Sequence, residues 1–162
     1  MKILDRPLFA ELTRTAQNSP RLRSHHNLHE SLDHPIHRLV MAVEPGTYVR
    51  PHRHPGTDRW EMLLVLNGAV RLLTFDEAGL VLSRIDLGPD HPSVAVEIPG
   101  GTIHALVSLE PSTIVMEVKA GPYRKPEDGD WAAWAPIEGE PACAAVEAWY
   151  RQARPGDCFV AP

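Results

Sequence analysis

The chain has 162 residues, 43% of them hydrophobic, and a formal net charge of −5 with histidine neutral, which suits a single domain with a core of its own. Its 16 lysines and arginines are scattered and not interleaved with aromatics, a pattern that argues against a nucleic-acid groove or an anionic membrane surface and favours a small-molecule ligand. Nine histidines hint at metal or proton chemistry, whereas Cys143 and Cys158 lack zinc-knuckle or thioredoxin spacing and are expected to be inert, reduced thiols.

Met1 to Ala10 lacks the layout of a secretory signal and no apolar run approaches membrane-spanning length, so a soluble, cytoplasmic protein is expected. Asp5-Arg6-Pro7 ahead of Leu8, Phe9, Leu12 and Ala16 predicts a short amphipathic helix, capped by Asp5 and ended by Ser19-Pro20. Arg21 to Asp33 is polar and rich in histidine, and residues 1–35 as a whole are expected to pack on the barrel formed by the next part of the chain. Ile36 to Val43 has strand character until Glu44-Pro45-Gly46 breaks it, and a further strand enters the stretch GTYVRPHRHPGTDRWEMLLVLNG, Gly46 to Gly68.

Within that stretch Pro55 to Asp58 reads as a turn and Trp60 to Leu66 as a strand that turns Glu61, Leu63 and Val65 to one face. Asn67-Gly68 is the strongest short hairpin signal, with Ala69 to Phe75 as the return strand. Leu80 to Leu87 comes next, then Val94 to Ile98 and Thr102 to Leu109 as a pair around Pro99-Gly100-Gly101, then Thr113 to Lys119. Strands at this spacing predict a sandwich or barrel over residues 36–120. Residues 121–162 form an extension containing Trp131 and Trp134, irregular except for a helix over Ala142 to Arg154 with Ala145, Val146, Trp149 and Tyr150 as its apolar stripe.

His52 and His54, two apart on an extended segment, present two imidazoles to one face, which is half of a metal site. The pattern G-x5-H-x-H then E-x6-G is present as Gly46, His52, His54, Glu61 and Gly68, and P-x-G-x2-H as Pro99, Gly101 and His104. This two-part signature resembles the cupins over about Gly46 to Ser108. The phrases NLHESLD, RPHRHP, WEMLLVLNG and EVKAGPY, within Arg21 to Tyr123, are similar to the WbuC-type cupin-fold metalloproteins of bacterial polysaccharide gene clusters. The resemblance implies an all-β cupin double-stranded β-helix or jelly-roll barrel, His52, His54, Glu61 and His104 as ligands of one divalent metal, and a homodimer.

The sequence departs from the usual pattern in three places. The carboxylate ordinarily follows the second histidine more closely, which selects Asp58 as the alternative to Glu61, and Ser93 and Ser108 replace a glycine and an asparagine. The residues make physical sense without the family. A barrel folds the His104 hairpin onto the first motif, three imidazoles and a carboxylate suit Fe, Mn, Ni, Cu or Zn, and a cation accounts for a carboxylate in an apolar strand.

Of the remaining histidines, His25, His26, His29, His34 and His37 are expected mostly at the surface or in hydrogen bonds, with His25 or His29 reaching the barrel mouth. Arg50 shares the strand phase of His52 and His54 and is expected to face the cavity, where it would take a carboxylate or phosphate. His25, His29 and Arg50 are therefore the candidate catalytic residues; Tyr48, Trp60, Lys119 and Tyr123 are weaker ones, more often packing or snorkelling side chains. The leading expectation is a metal-dependent enzyme of isomerase or epimerase type acting on a small polar molecule, with a sugar or sugar-nucleotide substrate implied by the resemblance alone. An iron-dependent dioxygenase and a non-catalytic sugar-binding or sensing module are the alternatives.

Overall fold

Asp5 opens the first helix, α1 (Arg6–Gln17): its carboxylate accepts the Leu8 N–H at 3.0 Å, and Pro7 occupies a first-turn position where no backbone donor is needed. The computed structural model describes residues 1–159. Eight strands come after the helix: β1 (Arg23–Asn27), β2 (Ile36–Val43), β3 (Glu61–Asn67), β4 (Val70–Phe75), β5 (Val81–Leu87), β6 (Ala95–Ile98), β7 (Ile103–Ser108) and β8 (Thr113–Ala120). They form two antiparallel sheets, one ordered β1-β2-β8-β3-β6 and the other β5-β4-β7. A 3-10 turn at Asp128–Asp130 and helix α2 (Cys143–Tyr150) complete the elements among the described residues. No helix among the described residues is long and apolar enough to cross a membrane.

Period-two alternation sorts the side chains into three apolar layers. Between the sheets lie Val43, Leu63, Val65, Val70, Leu72, Leu87, Ile98, Leu106 and Val115. The opposite phase of the larger sheet, Val40, Ala42 and Ile114, is covered by Leu12 and Ala16 of α1. The opposite phase of the smaller sheet, Leu73, Phe75, Val81, Ile103, Ala105 and Val107, is covered by the extension through Ala132, Ala135, Val146 and Tyr150. Both outer faces of the two-sheet barrel are thus covered.

Three local expectations change. Residues 23–27 form the edge strand β1, paired from Arg23↔Val43 to Asn27↔Leu39. Their polar side chains carry no alternation signal because the strand is held by ladder hydrogen bonds to β2, with much of its surface in solvent. Asn67-Gly68 does not make a hairpin, since β3 pairs with β8 and β6 while β4 pairs with β5 and β7. The turn carries the chain from one sheet to the other, and Gly68 is required there because a Cβ would stand 2.4 Å from Thr113 Oγ1, with φ at +70°. Pro99-Gly100-Gly101 makes the same kind of crossing between β6 and β7. Finally, the segment after Gly46 is extended without being a regular strand. Pro51 and Pro55 remove ladder donors, and the segment is held by the isolated bridges His52↔His104 and His52↔Trp131 and by single hydrogen bonds in place of a continuous ladder.

Candidate metal centre and its cavity

Those two bridges build the site. His52 and His104 exchange both backbone hydrogen bonds, at 3.0 and 2.8 Å, which puts their rings side by side with centroids 4.6 Å apart. On the other flank Ala132 N–H donates to Pro51 O and Arg53 N–H to Asp130 O, both at 2.9 Å, so the extension serves as a third rail of the segment. Two residues on, the carbonyl of His54 accepts the Gly101 N–H at 2.7 Å. The two histidine-bearing loops interlock at this point: a Cβ on Gly100 would lie 1.9 Å from Gly56 O. Glu61 enters from β3 in the inward phase with Leu63 and Val65, and is buried.

One donor atom from each of His52, His54, Glu61 and His104 lies within 4.8 Å of the others. The tautomers follow from the carbonyls. His52 Nδ1 lies 3.0 Å from Arg50 O and His104 Nδ1 lies 2.9 Å from Thr102 O, so both Nδ1 atoms donate and both Nε2 lone pairs are free to bind. His54 Nε2 donates to Glu61 Oε2 at 2.6 Å, and that oxygen is 3.8 Å from His104 Nε2. Burial, aided by the neighbouring His104, pushes His52 down to about 3, and burial also lowers His104. Burial works against the Glu61 carboxylate, but the hydrogen bond from His54 and the Lys119 and His104 charges outweigh it and hold Glu61 below the usual range. Neutral His52 and His104 beside an ionised Glu61 are the protonation states that a divalent cation requires, and a bound cation would take the place of the proton that His54 Nε2 donates to Glu61, so the donor set fits one. Asp58 is exposed in the turn and stands outside the group.

A cross-strand row continues from the centre: Glu61 is opposite Lys119 on β8, and Lys119 is opposite His37 on β2. Lys119 pairs with Glu117 on the same inward phase. Burial first, then the Glu61 charge, push Glu117 up to about 7 against the pull of Lys119. Burial alone would lower Lys119, but Glu117 and Glu61 more than reverse it. Beside this row a cavity of about 210 Å³ is lined by His37, His52, His54, Trp60, Lys119, Tyr123, Trp131, Arg53, Arg59, Arg124 and Asp130 among others.

The structure places the candidate catalytic residues away from that cavity. His25 is exposed on the edge strand opposite Met41. His29 is buried behind the wall, its ring stacked on His37 at 4.1 Å and its Nδ1 beside the Arg38 backbone. Arg50 lies over the Trp131 ring at 5.4 Å and donates to Ala132 O at 3.4 Å, because the extension brings Trp131 to it. Tyr48 is buried under the extension and donates to Pro136 O. Trp60, Lys119 and Tyr123 do line the cavity. So do His37, Arg53, Arg59 and Arg124, to which the sequence reading assigns no such role. His37 carries a usable signal, the inward phase of a strand, whereas Arg124 belongs to the irregular extension and has none.

A family model described as a domain of unknown function (DUF6016) matches residues 4–87, a span that contains His52, His54 and Glu61 but not His104. A search of curated proteins gives no match. Among solved structures, a conserved protein of unknown function from Streptococcus pyogenes is similar over 76% of this chain and 90% of its own, at 18% identity and a TM-score of 0.51. KdgF from Halomonas sp. is similar over 66% and 85%, at 20% identity and a TM-score of 0.49. A cupin superfamily protein from Desulfitobacterium hafniense is similar over 60% and 76%, at 17% identity and a TM-score of 0.47. Such identities bear on fold alone, and the two antiparallel sheets of this chain form the cupin double-stranded β-helix.

Proposed function

Because the chain belongs to the family described as a domain of unknown function (DUF6016), we propose its function from the site and not from a relative. The protein holds one divalent transition metal, Fe, Mn, Ni, Cu or Zn, on His52, His54, Glu61 and His104, and acts as a metal-dependent enzyme on a small polar molecule. One observation carries this reading: four side chains from three parts of the fold, the His52-Arg53-His54 segment, β3 and β7, converge within 4.8 Å, two of them with Nδ1 committed to carbonyls so that Nε2 is free to bind. When bound, such an ion supplies Lewis-acid chemistry. The chain's own residues do the rest. Trp60, Tyr123 and Trp131 give the cavity aromatic walls, and Lys119, with Glu117 beside it, presents a positive charge opposite His37.

The resemblance of NLHESLD, RPHRHP, WEMLLVLNG and EVKAGPY supports a finer placement among WbuC-type metalloproteins, and with it a homodimer. Elemental analysis of protein purified without added metal tests the centre. The wild type is expected to carry close to one equivalent, and His52→Ala, His54→Ala and His104→Ala to lose most of it. Retention of full metal by all three variants would contradict the assignment. Turnover then separates enzyme from binding module: metal-dependent stabilisation by a sugar ligand that is never converted would favour the module.

A further inference from the structure

The cavity beside the centre is strongly biased in charge. Arg53, Arg59, Arg124 and Lys119 line it, against the single carboxylate of Asp130. Three of these cations already have carboxylate partners. Arg53 is paired with Glu77, Arg124 with Glu127 and Asp130, and Lys119 with Glu117. Arg59 has no ion pair among the described residues. Its Nη1 donates to Pro122 O at 2.8 Å, which fixes the guanidinium at the cavity wall and leaves its other donors without a carboxylate. The partners of Arg53 and Arg124 on the solvent side, Glu77 and Glu127, have side chains 76% and 77% exposed, so they steady the guanidinium groups from outside without adding negative charge to the lining.

The enclosed space of about 210 Å³ is smaller than the roughly 300–1,000 Å³ of sites that enclose drug-sized ligands. A whole sugar nucleotide would not be enclosed. A planar fork of donors in a confined, partly desolvated wall is matched by a carboxylate or phosphate, whereas a neutral hydroxyl compound offers Arg59 no charge to answer.

We infer that the cavity binds a small oxyanion-bearing molecule, a carboxylic acid or phosphate monoester of at most monosaccharide size, with its charged group on Arg59. The inference rests on the metal reading only in placing the rest of that molecule against the four-residue centre. The test is calorimetric titration of metal-loaded protein of measured metal content with inorganic phosphate, malonate, glucose 6-phosphate and glucose. At least one of the three anions is expected to bind, more weakly as salt is raised, and glucose is not. Which anion binds distinguishes phosphate from carboxylate.

Arg59→Gln is expected to weaken that binding by about tenfold or more at unchanged metal content, and Arg59→Lys to restore part of it. Because Arg59 is half-buried in a surface turn, both variants are expected to fold. The inference is overturned if no anion binds the loaded wild type, if Arg59→Gln binds as the wild type does, or if glucose binds as tightly as its phosphate. Arg59-dependent anion binding by wild type that purifies without metal and takes up none on loading would uphold the oxyanion site while sinking the metal reading.

Discussion

Gly100 does as much for the centre as the residues that compose it, because its missing side chain is what allows the His54 loop to lie against the His104 hairpin. With a Cβ at 1.9 Å from Gly56 O, Gly100→Ala has to drive the two loops apart, and the Gly101 N–H to His54 O bond stretches with them. The variant is expected to lose about 1–3 kcal/mol in chemical denaturation and to bind metal more weakly, since His54 moves relative to Glu61. Unchanged stability and affinity would show that the interlock does not position the histidine. At this scale the sequence was legible wherever a side chain's phase depends on its own strand, as with Glu61 on β3. It was not legible at Arg50, whose direction is set by Trp131 arriving from a segment with no periodicity of its own.

The elements were largely readable in position and less so in partnership. Helix α1, strand β2 and the run from β3 to β8 are where alternation and turn residues placed them, within a residue or two. What alternation does not encode is which strand lies beside which. Asn67-Gly68 satisfies the local chemistry of a hairpin, yet Thr113 fills the space beside Gly68 and the chain passes to the opposite sheet. The extension shows the same limit. Helix α2 has no side-chain cap and a short apolar stripe, so its stability comes from docking. Tyr150 is fully buried at that contact, near Tyr48 and Phe75. Tyr150→Ala is expected to cost about 3–5 kcal/mol by urea denaturation, as for other large-to-small changes in a core. Because the extension also supplies the rail beside Pro51 and Arg53, the variant is expected to reduce metal occupancy as well, whereas a loss near zero would mean that α2 rests on the barrel without supporting it.

For the molecule as a whole, the burial of His52 and His104 makes metal-free protein sensitive to acid. The folded His52 ring takes a proton only near pH 3, whereas the unfolded ring takes one near 6.5. Its contribution to stability is therefore complete above about pH 6.5 and is lost as the pH falls toward 3, at about 1.4 kcal/mol per pH unit for each such ring. His104 acts in the same direction. Glu61, held below its ordinary value, adds a further loss below about pH 4.5. Glu117, pushed up to about 7, opposes them between about pH 7 and 4.5, but burial lowers His25 and His37 as well, so four rings act against one carboxyl in that window. The urea midpoint of metal-free protein is expected to fall between pH 7 and pH 5. A midpoint that is flat or rises over that range would contradict the burial of these rings.

The position of β8 at the centre of the larger sheet also bears on how the molecule is made. β2 and β3 each take β8 as a neighbour and do not pair with each other. A chain leaving the ribosome from its N-terminus presents both strands, with Glu61 and the first two histidines, well before Thr113–Ala120 exists to join them. Apolar strands left waiting in this way are prone to pair with other chains, and long-range pairing of this kind is slow. His104 emerges late as well, so metal capture by the full set of donors has to come after translation of most of the barrel and cannot guide its early steps.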